Sequence, residues 1–111
     1  MTMPAKKDLS CYKGQTYEQN FYFKQRGEPM DLSALTPKSQ IRPNENSRTL
    51  IAEFICSKDA EAGKVSLSLD AFVTAALNPG IYHWDLKMVD DIGTVKYWVR
   101  GKFSVTGRVT V

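Results

Sequence analysis

The chain has 111 residues, 42% hydrophobic and 24% charged. That composition describes one globular domain and excludes a disordered chain or a string of domains. The net charge of +3 comes from basic residues dispersed among acids, with Lys6-Lys7 followed at once by Asp8, so no phosphate-tracking stripe and no nucleic-acid partner are expected.

The opening "MTMPAKKDLS" has no apolar run behind its lysines, and no later segment reaches membrane-spanning length. Neither a signal peptide nor a membrane anchor is expected. Residues 1–8 read as a flexible lead-in and 9–111 as a single β-sandwich domain. "LSCY" is a first short strand. In "QTYEQNFYFK", Tyr17, Phe21 and Phe23 share one face, broken by Gln19, while Thr16, Glu18, Asn20, Tyr22 and Lys24 share the other. "QRGEP" supplies a turn. "KSQIRP" is a short extended piece stopped by Pro43, which cannot donate to a ladder, and "NENS" is loop.

"LIAEFICS" places Leu50, Ala52, Phe54 and Cys56 on one side of a strand, and "DAEAGK" turns the chain. "VSLSLD" then alternates Val65, Leu67 and Leu69 with two serines. One helix is expected, with Asp70 as N-cap of "AFVTAALNPG" and Pro79 barring its continuation. In "PGIYHWDLKMV", Tyr82, Trp84, Leu86 and Met88 face inward, and Ile81, His83, Asp85, Lys87 and Val89 face outward. "DDIGT" is a hairpin turn. In "VKYWVRGKFSV", Val95, Tyr97, Val99, Phe103 and Val105 share the inner face, and Gly101 within that series marks a bulge or a close backbone approach. The sum is all-β: an immunoglobulin-like antiparallel β-sandwich of about seven strands with one short helix.

Each candidate for chemistry has a structural counterpart. Tyr82 and Trp84 suit a core corner, the tyrosine hydroxyl bonding back to nearby backbone. His83 and Asp85 sit two apart on one strand face, which is half of a nucleophilic triad, but no nucleophile signature or phosphate loop accompanies them. No enzyme is expected. Cys11 and Cys56 lack metal-ligand spacing and only one histidine is available, so free buried thiols and no metal or other cofactor are expected. "DDIG" lacks the calcium-loop spacing and reads as a turn. The outward phase of the last strand exposes Trp98 between Lys96 and Arg100, and Tyr22 has the same outward phase on the second strand. These four residues, Trp98, Arg100, Lys96 and Tyr22, are the expected interface.

Taken in order, "YKGQTYEQNFYF", "GEPMDLSALTPKSQIRP", "LIAEF", "AGKVSLSLDAFVTAALNPGIYHWDL" and "GKFSVTGRVTV" resemble a small β-sandwich domain of virion proteins in tailed bacteriophages and prophages. The pattern is similar to the N-terminal domain of phage baseplate upper proteins and to short tail or head accessory proteins. Its shared positions fall on Gly14, Phe21, Phe23, Asp31, Leu32, Leu67, Leu69, Pro79, Gly80, Tyr82, Leu86 and Gly101, from Tyr12 to Thr110 overall. The resemblance implies a non-catalytic building block, made in the bacterial cytoplasm and finishing in the virion. Its expected partners are other virion proteins and further copies of itself. As a tail or baseplate component, or a head decoration protein, it would dock through sheet edges and exposed aromatics. The alternative reading is a carbohydrate-binding module that stacks host glycan on Trp98.

Overall fold

The computed structural model describes residues 5–107; expectations that fall on 1–4 and on the closing 108–111 lie outside the described residues. Along the chain run β1 (Ala5–Lys6), β2 (Leu9–Tyr12), β3 (Tyr17–Tyr22), β4 (Lys24–Gln25), β5 (Glu28–Pro29), β6 (Leu35–Arg42), β7 (Ala52–Glu53), β8 (Ile55–Asp59), β9 (Lys64–Leu69), α1 (Ala71–Ala76), β10 (Gly80–Asp90) and β11 (Val95–Thr106). Seven of the strands are four residues or longer, and α1 lies between the fifth and sixth of them, as the sequence predicts. The β4–β5 hairpin turns on Arg26 and Gly27, with φ of 55° and 80°, where glycine removes half of the left-handed strain.

Two sheets face each other. One is ordered β3-β9-β8 and is antiparallel throughout. The other is ordered β1-β11-β10-β6-β7, with β2 continuing β1 along the same edge of β11, both parallel to it. This is the immunoglobulin-like arrangement with the first strand laid on the last. Alternation builds the interior: Val65, Leu67 and Leu69 of β9 face Trp84, Leu86 and Met88 of β10, all at most 3% exposed. Phe103 meets Tyr17 and Phe54 edge to face, with ring centroids 5.5 Å and 5.6 Å away, and Tyr17 and Phe54 are tilted against each other at 6.2 Å. Full burial of each such side chain is worth about 1.5–3 kcal/mol.

The structure corrects three expectations. "LIAEFICS" is not one strand: β7 belongs to one sheet and β8 to the other, and the chain crosses between them at Phe54, 5% exposed. Leu50 therefore lies outside the core, 45% exposed. β6 starts earlier than "KSQIRP" because β7 pairs only with Gln40 and Ile41, leaving Pro37 with no ladder bond to donate on that side. Residues 5–8 are not a free lead-in, since Ala5 and Lys6 pair with Val99 and Arg100, and the Asp8 carboxylate accepts from the Lys102 N–H at 3.0 Å.

Asp70 caps α1 as predicted, its Oδ1 accepting from the Val73 N–H at 3.0 Å. The helix stops at Ala76, two residues before Asn78, because Leu77 is extended. Thr74 ties it down by donating to the Gln15 carbonyl at 2.7 Å.

Candidate docking face

The opening of β10 is built as a corner. The Tyr82 hydroxyl donates to the Asn78 carbonyl at 2.7 Å, four residues back. Trp84 is 3% exposed, and its indole N–H donates to the Lys7 carbonyl at 2.9 Å. Both aromatics have the structural role read from sequence. The Lys7 carbonyl reaches that indole by crossing over Gly101, which pairs with Trp84 across the strands. A Cβ on Gly101 would lie 1.9 Å from the Lys7 oxygen, so the glycine marks a close approach and not a bulge.

The bulge is three residues earlier. Leu86 pairs with Val99 and Lys87 with Tyr97, so Trp98 is an extra residue in β11. Trp98 and Val99 consequently both turn toward the interior, and the strand's phase reverses before them. This corrects the orientation expected for Trp98, which packs edge-on against Phe23 at 4.9 Å and is half-buried against the core. Tyr97, expected inside, is 49% exposed on the outer face, and Val95 is 45% exposed. Lys96 pairs with Met88 on the core phase, and its side chain escapes to solvent near the strand end. Tyr22 is 63% exposed but belongs to the other sheet, so it does not join Arg100.

The outer face of β6, β10 and β11 is organised in cross-strand rows. Arg42, His83 and Lys102 form one; Gln40, Asp85 and Arg100 the next, extended by Lys6; Lys38, Lys87 and Tyr97 the third. Cations that are dispersed in sequence are thus gathered, because an outward residue recurs at every second position on each strand. Lys6, Arg42, Arg100 and Lys102 border an open groove of about 410 Å³ with Asp85 and Tyr97.

Asp85 is half-buried, and that burial pushes its carboxyl above the usual carboxylate range, with Lys87 and Arg42 opposing the shift. The carboxylate beside His83 is Glu45, 3.8 Å from Nδ1, and not Asp85. The guanidinium of Arg42 is engaged by Gln40 and by the Arg48 carbonyl at 3.0 Å, which holds it over the groove. Among the described residues, no cluster of three His, Cys, Asp or Glu is placed to hold a metal ion. Asp90 of "DDIG" spends its Oδ1 on the N–H groups of Ile92 and Thr94, at 3.1 Å and 2.8 Å, as a turn residue does. Both thiols are free, Cys11 buried and Cys56 half-buried. Among the described residues, no helix is long and apolar enough to cross a membrane.

Sequence reasoning placed Arg100 on this face and missed Arg42, Gln40, Lys102, Lys6 and Tyr97. The outward phase of Arg42, Gln40 and Lys102 follows from strand alternation, but Lys6 was read in a flexible lead-in and Tyr97 on the inner face, and only the register aligns them.

No family model and no curated protein matches the sequence. Among solved structures, the N-terminal domain of ORF48 from phage TP901-1 is similar with a TM-score of 0.59 at 12% identity, over 95% of this chain and 91% of that one. The Siglec domain of GspB is similar with a TM-score of 0.55 at 14% identity, over 91% of this chain and 54% of that one. At such identities the likeness is one of fold: the chain shares a β-sandwich architecture with a domain of a phage protein.

Proposed function

We propose that this chain is a structural component of a phage or prophage virion, in the tail, baseplate or head, that acts by docking on neighbouring virion proteins without catalysis. The observation that carries the reading is the end-to-end match to a phage domain, in which nearly all of each chain is covered. The docking surface is the outer face of β6, β10 and β11, whose cations favour a partner with an acidic surface. Tyr97 and Arg100 are its central contacts; Trp98 supports them from within. The protein's final location is the particle, after synthesis in the bacterial cytoplasm.

The test is direct. Particles made by the source bacterium are purified on a density gradient and their proteins identified by mass spectrometry. The chain is expected at a fixed copy number per particle, reduced in an Arg100→Glu, Lys102→Glu variant. Its absence from particles overturns the reading.

A second reading is favoured by the Siglec-domain likeness, since that name denotes a carbohydrate-binding domain. Here the groove would take an acidic glycan, with Tyr97 and not Trp98 supplying the aromatic surface and Arg42 and Arg100 the charge. It predicts saccharide-dependent quenching of tryptophan fluorescence that Tyr97→Ala removes. A glycan array without a hit disposes of it.

A further inference from the structure

The end of the sandwich that carries α1 leaves an apolar surface uncovered. Phe72, second residue of the helix, is 89% exposed, and Leu50 and Ile51 nearby are 45% and 37% exposed. These side chains border a groove of about 560 Å³ completed by Val73, Ala76 and Tyr82. Among the described residues, Asp70 is the one charged side chain on its wall, and that carboxylate is engaged in capping the helix. Phe72 does little for the fold: α1 is fastened by Thr74 on its inner side, while the phenyl ring stands in water. A large aromatic held there, beside an apolar groove, marks an interaction surface.

We propose that this pole is a self-association surface, on which a second copy of the chain docks about a twofold axis. Each Phe72 ring enters the partner's groove, between the Leu50–Ile51 segment and the helix. Two observations select a second copy. First, a projecting ring and a receiving groove lie on the same patch, which is the self-complementarity an isologous contact requires. Second, each copy carries a net +3, and its cationic sheet face would repel its own kind, whereas among the described residues no cation lines the groove at this pole, and Lys13 beside it is engaged by the Leu77 carbonyl at 2.9 Å. A standard contact buries about 800 Å² per partner. The phenyl, Leu50 and Ile51 form the dry centre of such a contact, and Asn78 and Asp70 contribute to its polar rim. The inference deepens the assembly reading and rests on it for its purpose.

Sedimentation equilibrium of the full chain, from low to high micromolar concentration, tests it. A reversible dimer is expected, with Phe72→Asp raising its dissociation constant by about 100-fold or more, as loss of a central aromatic anchor does. Phe72→Ser should act in the same direction. Both variants should keep the wild-type circular dichroism and melting temperature, because the ring is outside the core, and Tyr97→Asp on the sheet face should leave the dimer intact. A monomer throughout the range, an oligomer larger than a dimer, or a dimer indifferent to both Phe72 variants overturns the proposal. A chain that is monomeric yet present in purified particles sinks this interface and leaves the virion reading standing; a Phe72-dependent dimer absent from particles does the reverse.

Discussion

Replacing Gly101 by alanine puts one methyl group where the N-terminal segment crosses the sheet. The new Cβ would sit 1.9 Å from the Lys7 oxygen and 2.6 Å from the Lys7 carbonyl carbon, both backbone atoms that no rotamer change can move aside. Lys7 would have to withdraw by more than about 1 Å, since real Cβ contacts below 3.0 Å are essentially never seen. That shift breaks the bond from the Trp84 indole and strains the 2.8 Å bond from the Lys7 N–H to the Arg100 carbonyl. A buried donor left without an acceptor costs about 1–3 kcal/mol, and overpacking adds about 1–3 kcal/mol. The expected loss is therefore about 2–6 kcal/mol, a large share of a small domain's stability. In thermal unfolding it should lower the midpoint by roughly 10–20 °C. The reasoning also predicts where the loss comes from. In a chain lacking residues 1–8, whose own stability is already reduced, Gly101→Ala should cost little, because the obstructing carbonyl is gone. A full-length variant that melts within a degree or two of wild type, or an equal loss in the shortened chain, would refute the crossing as the reason for the glycine.

Asp85→Asn should stabilise the protein at neutral pH. Burial raises the native carboxyl above its unfolded value, so its charge works against the folded state above the native pKa; urea titrations should show the variant's advantage fading as pH falls toward 3.8. A variant less stable at pH 7 would mean that the carboxylate has a partner. Tyr17 behaves in the same sense at high pH: burial, then the negative charge of the nearby Cys11 thiolate, pushes its hydroxyl from 10.0 up to about 12. Stability should therefore decline as pH rises from 10 toward 12, and Tyr17→Phe should flatten that decline. Trp98→Ala should cost about 2–3 kcal/mol, less than a fully buried tryptophan, whereas Tyr97→Ala should cost under about 1 kcal/mol. Equal losses from the two would contradict the bulge.

The places where sequence and structure part company share one cause. Period-two reading works as long as the pairing advances one residue for one residue, and β9 and the first half of β10 obey it: Val65, Leu67, Leu69, Trp84 and Leu86 all lie inside as read. The corner was equally legible, because Tyr82 follows a Pro-Gly break and its hydroxyl has a carbonyl four residues behind it. Phase tells nothing about a register slip. One extra residue in β11 reverses every side chain before Val99, which moved Trp98 inward and brought Tyr97 out. "KYWV" gives no warning of it, since either tyrosine or tryptophan can fill a core position. Nor does "LIAEFICS" announce that its chain changes sheets at Phe54, for a crossing strand keeps its β-branched, alternating composition while exchanging its partners.

The outer face of β6, β10 and β11 shows the complementary limit. Arg42, His83 and Lys102 are distant in sequence and become one row only when β6, β10 and β11 lie side by side. Local composition had therefore to read as scattered charge, because alternation separates each outward cation from the next by a core residue. What binds to such a face depends on the summed field of several strands. Asp85 near its centre sharpens the selection: it is half-buried and held against its preference for water, so a partner that brings an acidic group too close to it is penalised, while one that places acids over Arg42, Arg100 and Lys102 is rewarded. The arrangement thus favours an extended acidic surface that spans the rows over a single anion seated in the groove. That preference follows from where the carboxylate sits among the cations, and it weighs toward a protein partner and against an acidic glycan in the groove.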